Sequence, residues 1–317
     1  MIEFRRRRRF ILACWLARLC AYCAVILVPP YSCFRRTTVP SAVFWSEIRG
    51  VDGTRDGGRT VFTWRFKSRN GRPLERPVFA YGPDRAAYWS PPDQSLCLIG
   101  PKTTRRWFDG RTFVAEAARG TTGVRGKGML IQSIGLNPDA LFVNVLAGGK
   151  PGAWYVDNTG RWHQLAGALS VRCAGWTSRI AVLTGRNKVE LRDGPTYASA
   201  IMALTIPDLP FTWWDYDFRS GSVCIADNSH VRAYRSRLGQ TWSNWFPTAS
   251  ICGAEYGGDG SLWVSLTLHY SPGSRMLLFT PQGDDRGCLV EGILPMFSPF
   301  GGASDQVLKL LGRPKPG

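Results

Sequence analysis

The chain holds three histidines, His163, His230 and His269, each remote from the others and from the cysteines, so a metal centre of imidazole and thiolate is not expected. It has no CxxC pair. Of its nine cysteines, four cluster near the N-terminus (Cys14, Cys20, Cys23, Cys33), and five follow at Cys97, Cys173, Cys224, Cys252 and Cys288 in apolar runs such as "SLCLIG" and "SVCIAD". A cysteine in such a run is usually a small buried hydrophobe. An odd count without framework spacing argues against a disulfide scaffold, with a single Cys224–Cys252 bridge left open. Catalytic signatures are missing too: no G-x-S-x-G, no H-E-x-x-H, no Walker loop and no G-x-G-x-x-G after a strand. "TTGVRGKGML" (Thr121–Leu130) is glycine-rich and basic, but without P-loop spacing it reads as a loop. No cofactor, no metal and no catalytic residue is expected, and the chain reads as a non-enzyme. Long helical periodicity is also wanting, apart from a short terminal helix over Ser304–Gly312.

Acidic side chains are scarce, 23 against 40 lysines and arginines, for a formal charge of +17. Residues 1–36 hold eight arginines and one glutamate, or +7, which leaves +10 on the other 281 residues. A surface basic in its own right is drawn to anionic headgroups or acidic polysaccharide. Without a lysine-dense stripe, nucleic acid is not the expected partner.

The N-terminus is distinct. Arg5–Arg9 precede an apolar stretch from Phe10 to Val28, and Pro29-Pro30 end it. Nineteen residues at about 1.5 Å each rise about 28 Å, enough to cross a hydrocarbon core of about 30 Å. The arginine run places residues 1–9 in the cytoplasm and the remainder across the membrane. Residues 10–28 are therefore read as a transmembrane signal-anchor, with a cleaved signal peptide as the alternative, and 29–44 as a linker.

From Val39 onward the chain alternates short apolar or aromatic runs with Gly, Pro, Asn and Asp, an all-β pattern. Apolar cores begin near Val61, Leu96, Leu141, Ile180, Val223 and Leu262, a period of about forty residues. A second run follows in each later unit, at "AWYV" (153), "VEL" (189), "VRAY" (231) and "MLLF" (276). "DNTGRW" (Asp157–Trp162) and "RLGQTW" (Arg237–Trp242) share a turn, a glycine and a tryptophan. Repeats of this length, built from short strands, predict a β-propeller of four-stranded blades. Six blades are expected over residues 45–303, one of them completed jointly by the shorter first and last pieces, with five or seven as alternatives and a tail over 304–317.

The unit "GRWHQLAGALSVRCAGWTSRIAVLTGRNKVELRDGP" (Gly160–Pro195) carries Trp162, "LAGALSV", Gly175, "RIAVLTG" and "NKVELRDG", and it resembles the tectonin and fish-egg lectin type of propeller repeat. "GSVCIADNSHVRAYRSRLGQTWSNW" (Gly221–Trp245) looks like a second copy, and its "TWSNW" is similar to bacterial tryptophan-rich propeller lectins. The resemblance spans about residues 140–290. It implies a non-catalytic propeller that binds carbohydrate. "RLGQTW" also resembles half of the sialidase propeller repeat, with Arg237 where that repeat has aspartate; a glycoside hydrolase is the minor alternative.

Aromatic faces stack on sugars while Asn, Asp and Arg bind hydroxyls. Among 13 tryptophans, two groups stand out: Trp213, Trp214 and Asp215 in "FTWWDYDF", and Trp242, Asn244 and Trp245 in "TWSNW". These six are the candidate carbohydrate contacts. Against this, a tryptophan that recurs once per repeat is commonly inter-blade packing, and adjacent rings in a strand point to opposite faces. "KTTRRWFDGR" (Lys102–Arg111) and "RAYRSR" (Arg232–Arg237) are candidates for anionic groups. The expected partners are a glycan or, alternatively, an envelope protein, with the membrane reached through the N-terminal helix.

Overall fold

A computed structural model describes residues 62–292, apart from 76, 83, 101–103, 120–128, 236–238, 258–259 and 270–273, together with the strands at 42–47, 50–54, 299–303 and 315–316. The expected helices over 10–28 and 304–312 lie outside the described residues. Among the described residues no helix is long and apolar enough to cross a membrane.

Strands β1 (Ala42–Glu47), β2 (Gly50–Thr54) and β3 (Phe62–Trp64) come first. Blade I follows as β4 (Phe79–Tyr81), β5 (Ala86–Ser90), β6 (Ser95–Ile99) and β7 (Arg105–Asp109). Helix α1 (Arg111–Arg119) leads into blade II, β8 (Met129–Leu136), β9 (Ala140–Ala147), β10 (Lys150–Asp157) and β11 (Trp162–Gln164). Blade III is β12 (Ser170–Cys173), β13 (Ile180–Leu183), β14 (Lys188–Arg192) and β15 (Ala200–Thr205). Blade IV is β16 (Trp213–Asp217), β17 (Ser222–Ala226), β18 (His230–Arg235) and β19 (Gly239–Trp245). Blade V is β20 (Ala249–Tyr256), β21 (Leu262–Leu268), β22 (Ser274–Phe279) and β23 (Asp285–Gly292). Each is a four-stranded sheet paired in sequence order.

Among the described residues the propeller thus has five four-stranded blades, and the expected six are corrected. The reason lies in strand pairing. The apolar run at Val61, counted in the sequence as a repeat of its own, leads into β3, which belongs to a five-stranded sheet in the order β24-β1-β2-β3-β25. Here β24 (Pro299–Ala303) and β25 (Lys315–Pro316) come from the opposite end of the chain. Strand β24 packs beside β20 and β21.

Why the middle strands read as continuous apolar runs is visible in how their residues divide. On β9, Leu141, Val143 and Val145 pack toward blade I, while Ala140 and Phe142 pack toward blade III. On β17, Val223 and Ile225 face blade III, and Cys224 and Ala226 face blade V. A strand sandwiched between two sheets buries both faces, so the usual in-out alternation gives way to an unbroken run. Outer strands have neighbours on fewer sides: β15 and β19 are mostly exposed.

Turns are set by glycine and aspartate. Gly148 and Gly149 both take positive φ (57° and 80°) in the two-residue loop joining β9 to β10, the backbone a type I′ hairpin demands. Asp157 accepts the N–H groups of Thr159 (2.8 Å) and Arg161 (3.0 Å), and Asp227 those of Ser229 and His230 (both 2.8 Å), closing the turns that follow β10 and β17. Cys97, Cys173, Cys224 and Cys252 are free thiols, so the open Cys224–Cys252 bridge is absent.

Candidate functional site

The innermost strand of each blade, β4, β8, β12, β16 and β20, ends at a common cavity of about 270 Å³ on the propeller axis. Its wall includes Tyr81, Arg172, Cys173, Trp176, Asp215, Asp217, Glu255 and Tyr256. A charged residue in an inner strand points into the axis because its strand neighbours are consumed by the two inter-blade layers.

Asp215 ties three blades together. Its Oδ1 lies 3.5 Å from Nε of Arg172 in blade III, and its Oδ2 accepts the N–H of Tyr256 in blade V at 2.6 Å. Arg172 also donates from Nε to the Trp214 carbonyl (3.0 Å) and lies 5.2 Å from the Trp214 ring. Asp217 belongs to the turn after β16, accepting the N–H groups of Arg219 (3.0 Å) and Ser220 (3.2 Å). Glu255 differs from both: its carboxyl has no hydrogen-bond or ion-pair partner among the described residues.

Burial dominates the protonation of this group. It pushes Glu255 up to about 8, aided by the Asp215 charge and opposed by Arg172. Burial also raises Asp215, to about 6, against the pull of Arg172 and the backbone N–H of Tyr256. Burial lifts the phenols of Tyr81 and Tyr256 well above the usual tyrosine range, with Glu255 adding to the first. The Cys173 thiol is pushed up to about 12 by burial, which keeps it un-ionised.

Trp176 stands at the cavity mouth with 47% of its surface exposed. Phe218 meets it edge-on at 6.4 Å, and the Arg219 guanidinium lies 5.8 Å from its ring. No imidazole lines the cavity. His163 pairs with Asp157 (2.9 Å), His230 lies beside Asp227, and His269 bonds Ser250 (2.8 Å) at the far end of β20 from Glu255.

Of the six residues singled out in the sequence, Asp215 alone lines the cavity. Trp214 is 4% exposed, donates to Ser170 Oγ at 2.6 Å and packs between blades III and IV. Trp213 points the opposite way and packs between blades IV and V. Trp242 and Asn244 reach the β22–β23 turn, donating to the carbonyls of Pro281 (3.2 Å) and Gly283 (3.3 Å). Trp245 is 56% exposed on the outer edge and stacks on His230, with centroids 6.0 Å apart. The structure therefore does not bring the six into one site. The residues that sequence reasoning missed are Arg172, Glu255, Tyr81, Tyr256 and Trp176. Their signal was a charge set inside a short apolar strand, in "SVRC" and "GAEY", just before a turn.

No protein-family model matches the sequence, and no curated protein does. Solved structures do match. The β-propeller domain of Cps50 (Swd1) from Myceliophteria thermophila has 11% identity over 82% of this chain and 89% of its own, with a TM-score of 0.48. A protein of unknown function from Bacteroides caccae has 9% identity over 83% and 99%, at 0.49. A streptogramin B lyase has 10% identity over 82% and 86%, at 0.43. Similarity at this level concerns the fold alone, and the propeller assignment rests on the blade topology.

Proposed function

We propose that this propeller is a non-catalytic recognition module that binds carbohydrate at the mouth of its axial cavity, carried on the outer side of a membrane by residues 10–28. One observation supports this above others: a cavity of about 270 Å³ that combines exposed aromatic surface at Trp176 with hydroxyl-binding groups at Arg172, Asp215 and Glu255. An aromatic platform beside a few convergent polar groups is the chemistry of a sugar site. The non-catalytic part of this reading rests on the sequence, which carries no catalytic motif.

The test is a glycan array probed with the full chain in detergent, beside Trp176→Ala and Trp245→Ala, each checked by near-UV circular dichroism. Saturable binding that Trp176→Ala abolishes and Trp245→Ala keeps is the expected result. Binding to no glycan by a folded chain would overturn the reading. The membrane placement has its own check: protease added outside intact cells should digest the propeller.

A second reading, a protein-interaction scaffold, is favoured by the outer edge of blade III, where Ile201 (53%) and Met202 (37%) on β15 are exposed, as is Leu209 (37%) in the segment that follows. An apolar edge strand offers both side-chain area and unpaired backbone groups to a partner. Ile201→Lys would release such a partner from co-purification and leave glycan binding unchanged.

A further inference from the structure

We propose that the ligand of the axial cavity carries a cationic amine; on the carbohydrate reading, on which this rests, it is an amino sugar with a free ammonium group. The described cavity wall contains three carboxylates, Asp215, Asp217 and Glu255, against a single cation, Arg172. In a chain of formal charge +17, an acidic axis is a local feature and does not follow from composition.

Two of the three carboxylates are already employed. Asp217 holds the backbone of its turn, and Asp215 is held by Arg172 and Tyr256. The carboxyl of Glu255 is left without a partner among the described residues while it lines the space a ligand would fill. The aromatic rings that share this wall, Tyr81, Tyr256 and Trp176, suit a cation, since the faces of such rings are electron-rich. An anionic sugar would meet three carboxyl groups and one guanidinium; a neutral one would hydrogen-bond Glu255 without balancing the charge it takes on when ionised. An ammonium balances it.

The groups around Glu255 fix the sign of the pH effect. They are Tyr81 on β4, Arg172 and Cys173 on β12, Asp215 and Asp217 on β16, Cys224 on β17, and Tyr256 on β20 itself; "PFGGA" of β24, which packs beside β20, has no ionisable side chain. The phenols and thiols stay neutral through pH 9, so between pH 6 and 9 the change comes from the carboxylates. Burial holds Glu255 protonated near neutrality, and a bound cation draws out that proton. Cation affinity should then climb with pH, by up to about tenfold per unit, and level off above about 8.

The experiment is calorimetric titration of the full chain with glucosamine, with N-acetylglucosamine and with tetramethylammonium, whose charge does not change with pH. Glucosamine should bind at least about tenfold tighter than its acetylated form at pH 6.5, and tetramethylammonium should tighten from pH 6 to 9. Glu255→Gln should erase both effects while Trp245→Ala keeps them. If both sugars bind equally and Trp176→Ala removes both, the amine inference is overturned and the carbohydrate reading stands. If tetramethylammonium binds with that pH profile and neither sugar does, the amine inference holds and the glycan array decides the carbohydrate reading. If a folded chain binds none of the three, the amine inference is wrong, whatever the array shows.

Discussion

Arg172 is the one cation on the described cavity wall, and its loss should cost more than a packing change. Removing one partner of a largely buried ion pair strands the other, at about 3 kcal/mol. Arg172→Leu should therefore lower the urea midpoint by a corresponding amount at pH 8 and by much less at pH 5, where Asp215 and Glu255 both take up protons. Glu255 predicts the reverse. Its folded pKa, about 8, stands above its ordinary value of 4.5, so the folded chain binds the extra proton between those limits. The stability that Glu255 contributes is fully present below about 4.5 and is lost as pH rises through about 8. Glu255→Gln should flatten this slope and leave the chain about 1–2 kcal/mol more stable than the parent at pH 9, measured by urea melts across pH. Asp215 was legible as a polar residue beside two rings in "WWDYD". Arg172 and Glu255 were not, because a lone charge in a short strand looks like an outward-facing residue until the neighbouring blades show that outward is the axis.

At the level of elements, two tryptophans with the same sequence surroundings do different work. Trp162 on β11 packs back on blade I, donating to the Asp109 carbonyl (2.6 Å) and stacking on Phe113 of α1 at 4.4 Å. Trp242 on β19 packs forward on blade V, against Phe279 and the turn at Gly283. That turn leaves no room: Gly283 has φ +90°, and a Cβ there would lie 2.6 Å from the Trp242 ring. Gly283→Ala should cost about 2–3 kcal/mol from strain and overlap together. Gly167→Ala, with φ +69° and nothing within 4 Å, should cost only about 1 kcal/mol. Urea midpoints of the two variants, followed by tryptophan fluorescence, separate the contributions. The repeats were readable because Leu141, Ile180, Val223 and Leu262 all fall in or open the second strand of a blade, the one buried on both faces. The run at Leu96 instead lies in β6, a third strand, which explains the uneven spacing there. Helix α1 escaped notice: "RTFVAEAAR" is only nine residues long, too short for a persuasive helical period, and what orders it is Phe113 inserted between Trp89, Trp154 and Trp162.

On the scale of the whole molecule, the four inter-blade layers between blades I and V make a chain of nearest-neighbour contacts, as repeat proteins do. A forty-residue period predicts such a chain but not how many units it has, since strands from opposite chain ends can join in one sheet with no trace in the period. Charge is likewise misleading when summed. The basic total points to acidic partners, while the axis presents carboxylates. The most direct test is a crystal structure of the full chain with glucosamine. The sugar is expected at the axial mouth, its ring against Trp176 and its nitrogen about 3 Å from the Glu255 carboxyl. Sugar density on Trp245 and His230, with the axis empty, would contradict the account.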